Sequence, residues 1–238
     1  MRSIMVLNTK GGCGKSTLAT NLASHYALEG RRVFLADFDP QGSSMAWLAT
    51  RPENRPVING IAAWREEVRV PEDTQFVIMD VPAALYGDNL KEMMRYAQSV
   101  IIPVLPSPMD ISAAQEFIFN VQGIGKVKHV DLTQAADGFF GFVQRNIILA
   151  ACAGAESRLA VVANRVRENT LSYDRLDEFL SELGVPFITT LRETQNYIQA
   201  AERGLGIFEM APAQVAYDVE QWEPLLKWLK SKRSLPKA

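Results

Sequence analysis

Cysteine is scarce: the 238-residue chain has two, Cys13 and Cys152, far apart in sequence. A pair so placed offers no disulfide framework, and Cys13 lies inside a glycine-rich loop, where it is read as a small filler. Histidine is as rare. Neither His25 nor His129 has a cysteine or carboxylate cluster at ligand spacing beside it, which speaks against a transition-metal site. No apolar stretch reaches the roughly 20 uninterrupted residues of a membrane-spanning helix, and the sequence enters a strand at once without a signal-peptide pattern. The expectation is a cytoplasmic protein. An excess of one charge is missing too: 25 Lys and Arg stand against 27 Asp and Glu, a net of −2. Any contact with nucleic acid must therefore come from a local basic patch.

What the chain does have is alternation. Short apolar runs at 4 to 7, 33 to 36, 76 to 79, 100 to 105 and 159 to 163 have the length and type of strands covered on both faces. Helical sequence follows: 16 to 28, 88 to 96, 110 to 122, and 172 to 183, which ends at Gly184 with Pro186 just beyond. Residues 185 to 189 supply a last short strand. Strand, helix, strand repeated in this way predicts an α/β fold, a mostly parallel twisted sheet with helices on both faces, in a single domain over 1 to 238. Ligands of such sheets sit at the carboxyl ends of the strands, where residues 9 to 16, 37 to 42 and 80 to 87 all fall.

The first of those segments carries the most chemistry. Lys10-Gly11-Gly12-Cys13-Gly14-Lys15-Ser16-Thr17 follows an apolar run and opens a helix. A glycine-rich turn there aims several backbone N–H groups at one spot, where the helix dipole also favours negative charge. A triphosphate such as ATP fits. Lys15 is placed to reach the β/γ-phosphates, Ser16 to ligate Mg²⁺, and Thr17 to touch the α-phosphate. The plain P-loop pattern wants glycine where this chain has Thr9; the variant with a second lysine, Lys10, is satisfied.

That variant resembles the signature of the ParA/MinD family of deviant Walker-A P-loop ATPases, and further motifs follow in the family's order. Residues 33 to 42 look like the family's buried strand ending in Asp-x-Asp-Pro-Gln-Gly, with Asp37 and Asp39 as its two carboxylates. Residues 76 to 82 resemble the Walker B strand, with Asp80 at its end, and Val100 to Pro108 and Val161 to Arg165 match two further strands. The resemblance implies that Asp80 holds Mg²⁺ through a water and that Asp39 positions or activates the attacking water. Asp37 is left with two roles, support of the metal shell or switch, or a plain structural carboxylate. Asn164 matches the position that contacts adenine, and Lys10 the lysine that reaches across a two-fold interface to the partner's phosphates. Two ATP molecules are then sandwiched in a homodimer.

Within the family, the ATP-bound dimer of ParA-type members binds DNA without sequence preference, and a cargo-bound adaptor stimulates slow hydrolysis. MinD-type members switch on the membrane surface through an amphipathic C-terminal helix. The Pro-Gln-Gly after Asp39 is the ParA form. By this resemblance the chain is expected to be nucleoid-associated, without stable membrane insertion, and to position a cargo such as a plasmid, chromosome origin, protein cluster or carboxysome. Candidate phosphate contacts are Arg192, Arg203, Lys227, Lys230, Lys232 and Arg233, the last three in a basic tail over 230 to 238. Residues 222 to 233 carry an apolar stripe as well as basic residues, so DNA, membrane and core packing stay open for them. An added helical segment is expected within 123 to 158, as core extension, dimer surface or cargo contact. An ATP-driven electron donor of the nitrogenase iron-protein kind would need two bridging cysteines per subunit, and Cys152 alone is one short.

Overall fold

A computed structural model describes residues 1–66, 68–83, 85–124, 147–148, 158–167 and 185–236. In chain order the elements are β1 (Arg2–Val6), α1 (Lys15–Leu28), β2 (Val33–Asp37), α2 (Ser43–Ala49), β3 (Ile58–Ala62), β4 (Val68–Arg69), β5 (Phe76–Asp80), α3 (Gly87–Met94), β6 (Ser99–Val104), α4 (Pro108–Ile124), β7 (Ile147–Ile148), β8 (Arg158–Val166), β9 (Phe187–Arg192), α5 (Gln195–Glu202) and α6 (Pro212–Lys230). Seven strands form one sheet in the order β3-β2-β5-β1-β6-β8-β9, and every pairing is parallel. Two-residue β4 and β7 pair separately.

Alternation along the strands explains both faces. Ile4 and Val6 pack with α1 and α6 on one side, while Met5 and Leu7 pack with α3 and α4 on the other. The apolar stripe of α6 belongs to the first layer: Trp222 and Leu225 are fully buried, and Trp228 and Leu229 nearly so. That settles one open point of the sequence, because the stripe on residues 222 to 233 is core.

The expected basic tail is also tied down at Ser234 and Leu235. After α6 a short 3₁₀ turn (Lys232–Ser234) buries Ser234, whose hydroxyl and carbonyl oxygens accept from Arg2 Nη2 at 2.7 and 3.0 Å. The helix expected over 172 to 183 and the added segment within 123 to 158 lie largely outside the described residues, apart from α4's last turn and the strand β7.

Besides the two-residue strands β4 and β7, three elements went unread in the sequence. The α2 helix has only seven residues and starts on Gly42, a left-handed N-cap without a side-chain acceptor. The Asn59-Gly60 pair of β3 is the usual mark of a turn. Here Gly60 lies under α2, and a Cβ on it would come within 2.3 Å of Leu48 Cδ2, so that side chain would have to move. The third is α5, capped by the Thr194 hydroxyl, which accepts from Asn196 N.

Candidate nucleotide site

The glycine-rich loop leaves the carboxyl end of β1, the central strand, and two neighbours hold its shape. Asn8, buried, donates from Nδ2 to the Pro103 carbonyl of β6 at 2.6 Å and accepts from Lys10 N on Oδ1 at 3.1 Å. Asn164, at the far end of β8, donates from Nδ2 to the Cys13 carbonyl at 2.8 Å. Gly12 and Gly14 take φ of +74° and +95°, a region that side-chain-bearing residues avoid. A Cβ on Gly14 would also come within 2.2 Å of Asn164 Nδ2. The loop amides before α1 are thus aimed as an anion cradle.

The buried Lys15 side chain folds back over this cradle, its Nζ donating to the Lys10 carbonyl at 3.1 Å. Cys13 Sγ donates to the same carbonyl at 3.2 Å, and burial pushes its thiol pKa up. Cys13 is a packing residue of the loop. The Lys10 ammonium makes no hydrogen bond or ion pair among the described residues. Partly exposed, it sits at the rim.

On the other side of the loop stand the carboxylates. Asp37 and Asp80 are register partners at the ends of β2 and β5, both buried. Asp37 accepts from the amides of Asp39, Ser44 and Met45 at 3.0, 3.0 and 3.1 Å. These bonds tie the first turn of α2 to the sheet. Burial, helped by the Asp80 charge, pushes the Asp37 carboxyl up to about 6 against the pull of those amides.

Asp80 is raised by burial too, with the Ser16 and Ser44 hydroxyls and the Lys15 ammonium opposing. Its Oδ2 accepts from Ser44 Oγ at 2.7 Å, whereas Oδ1 is buried without a hydrogen-bond partner. An orphaned carboxylate oxygen is costly in an apolar setting. With the Ser16 hydroxyl acting on the same carboxylate, it fits a hard divalent cation bound through oxygen ligands, as Mg²⁺ would be. Partly exposed Asp39 makes an Asx turn to Gln41 N at 3.0 Å.

A cavity of about 300 Å³ continues from Gly12, Gly14 and Thr17 past Asn164 and Arg165 to Thr194 and Tyr197. Arg165 has a φ of +54° where the β8–β9 register slips, a strained backbone of the kind functional sites hold. Arg192 opens onto the same cavity. Its guanidinium donates to the fully buried Asp218 at 2.5 Å and lies 5.0 Å from the Tyr217 ring. Arg203, Lys232 and Arg233 are exposed; Lys227 pairs with Glu223 at 2.9 Å and Lys230 with Glu29 at 2.6 Å. The sequence reading missed Asn8 and Ser44, single polar residues beside two strand ends with no motif around them.

Fold and site together define a P-loop nucleotide-binding domain. Residues 4–207 match the CbiA family, the CobQ/CobB/MinD/ParA nucleotide binding domain, and the chain belongs to it. The maintenance of carboxysome distribution protein A of Halothiobacillus neapolitanus is 25% identical over 215 residues, 87% of each chain. Among solved structures, apo McdA of Cyanothece superposes with a TM-score of 0.65 at 14% identity, over 95% of this chain and 99% of the other. A plasmid partition protein of Borrelia burgdorferi B31 bound to AMPPNP gives 0.62 at 16%, over 95% and 98%. No helix among the described residues is long and apolar enough to cross a membrane.

Proposed function

We propose that the protein is a Mg²⁺-dependent ATPase of the ParA type, which dimerises around ATP, binds DNA without sequence preference in that state, and positions a cargo. The observation that carries this is the loop with its two lysines, one folded into the phosphate cradle and one unpartnered at the rim, opposite the cation-ready Asp80 oxygen. Lys15, the loop amides and Thr17 bind the phosphates, Ser16 and Asp80 hold the cation, and Lys10 reaches the partner subunit's nucleotide. The bound Mg²⁺ supplies charge neutralisation at the phosphates. Asp39 orients the attacking water, so hydrolysis is chiefly positioning and electrostatics. Asn164 braces the loop at the adenine end of the cavity.

DNA contact is assigned to exposed Arg203, Lys232 and Arg233, joined by Lys227 and Lys230, whose surface pairs are weak enough for phosphate to compete. Arg192 is engaged by buried Asp218 and contributes less. The apolar face of α6 packs into the core, which supports the DNA reading over a membrane-surface switch. The name of the Halothiobacillus relative supports a microcompartment among the cargoes, to be met through an adaptor that stimulates hydrolysis.

The test is binding of Asp39→Ala protein to random-sequence duplex DNA with ATP and with ADP across a salt series. We expect binding with ATP alone, weakening steeply as salt rises. Absence of binding in both states overturns the DNA assignment.

A further inference from the structure

Ser44 has no part in any of the motifs of the sequence, yet it is the residue that joins the two buried carboxylates of the site. It lies in the first turn of α2, fully buried. Its backbone N–H donates to Asp37 Oδ2 at 3.0 Å, and its hydroxyl donates to Asp80 Oδ2 at 2.7 Å. The other Asp80 oxygen, Oδ1, is left buried without a hydrogen-bond partner. A carboxylate on a short side chain is free to turn about its Cβ–Cγ bond and offer either oxygen. A donor fixed on one oxygen removes that choice.

The donor is itself fixed: α2 is anchored to the end of β2 through Asp37, and at its other end through Arg51, whose guanidinium makes a bidentate pair with buried Glu209 at 2.8 Å. The rotor that orients Asp80 is therefore built on a helix held at both ends, and it enters the site from the segment that carries Asp39.

We propose that Ser44 is a positioning residue of the cation site: its hydroxyl clamps Asp80 Oδ2 so that Oδ1 faces the divalent cation beside Ser16. This rests on the nucleotide and cation reading given above. The Ser44 side chain touches the carboxylate and not the ligand, so its substitution acts on metal affinity through Asp80. Partners of this outer kind typically change metal affinity 10- to 100-fold when removed. The substitution is also clean, because Ser44→Ala deletes one oxygen, keeps the backbone bond to Asp37, and opens no cavity of consequence.

The experiment is a Mn²⁺ titration of the full chain with ADP, followed by electron paramagnetic resonance, alongside ADP affinity measured in EDTA. For Ser44→Ala, Mn²⁺ affinity should fall by about 10-fold or more while ADP affinity in EDTA stays at the wild-type value. Ser44→Thr, which keeps the hydroxyl, should bind Mn²⁺ close to wild type. Wild-type Mn²⁺ affinity in Ser44→Ala overturns the assignment, as does a parallel fall in metal-free ADP affinity, which would mean general damage to the loop. Failure of the wild-type chain to bind Mn²⁺ and ADP at all sinks the underlying nucleotide reading instead, and is distinguished by that control.

Discussion

The Lys15 ammonium donates to the Lys10 backbone carbonyl, and the proposed function gives the two ammonium groups separate tasks. Lys15 is inside the cradle and partnered by the loop; Lys10 is at its edge. Lys15→Gln should therefore abolish nucleotide binding and dimerisation together, since the charge that meets the phosphates is gone. Lys10→Ala should keep nucleotide binding and lose only the dimer. Asp39→Ala should accumulate as an ATP-bound dimer because hydrolysis stops while the phosphate contacts remain. Size-exclusion chromatography with ATP separates the three; dimers unaffected by any of them would defeat the sandwich arrangement. These side chains were legible because several unusual residues recur at fixed spacing. Asn8 and Ser44 were not, since one polar residue at a strand end or in a first helical turn is ordinary, and only the fold shows what faces it. Arg192 illustrates the converse: it looks like a surface charge in sequence, and its partner Asp218, 26 residues away, is fully buried.

Among the elements, α2 is the one whose stability and function are most closely joined. Its seven residues cannot form a stable isolated helix. Asp37 and Ser44 hold its first turn, Trp47 Nε1 donates to the Leu205 carbonyl at 3.1 Å, and Arg51 pairs with Glu209 just past its last turn. Arg51 and Glu209 side chains are 5% and 0% exposed, so removing one leaves an uncompensated buried charge. Arg51→Ala should lower unfolding free energy by about 3–5 kcal/mol, measured by denaturant titration. Arg51→Met with Glu209→Leu should recover much of that loss, and equal loss in the double variant would refute a charge-based cause. Much of the sheet was readable from its buried apolar runs, which have one look whatever lies above them. Helix α2 and strand β3 were hidden for a shared reason: α2 is too short to show a period, and the Asn59-Gly60 pair that reads as a turn packs against its Leu48.

For the molecule as a whole, acid sensitivity has an identifiable source on the α1–α6 side. His25 packs against Phe208 and Tyr26, lies 3.4 Å from Glu29, and faces the Lys230 ammonium through that carboxylate. Burial lowers the His25 pKa, with Lys230 also lowering it and Glu29 opposing. The folded state thus binds its proton less readily than the unfolded chain. The contribution of neutral His25 to stability is present above the ordinary histidine pKa of about 6.5 and is lost as pH falls below it. The Glu29 carboxyl is also lowered despite its partial burial, by Lys230, His25 and Arg31, so its contribution fades in the same direction at lower pH. Melting temperature should fall less between pH 7 and 5 for His25→Gln than for the wild-type chain. Identical slopes would exclude His25 as the source.

The clasp between Arg2 and Ser234 spans 232 residues of sequence, which gives the molecule an order of assembly. Strand β1 lies in the middle of the sheet, but Ser234, which accepts from Arg2, and α6, which with α1 covers Ile4 and Val6, come more than 200 residues later in the chain. A nascent chain emerging N-terminus first therefore carries its phosphate loop on a strand whose surroundings are incomplete. A chain cut before Pro212 should therefore leave the Ile4 and Val6 side of the sheet without its α6 cover and expose apolar surface there.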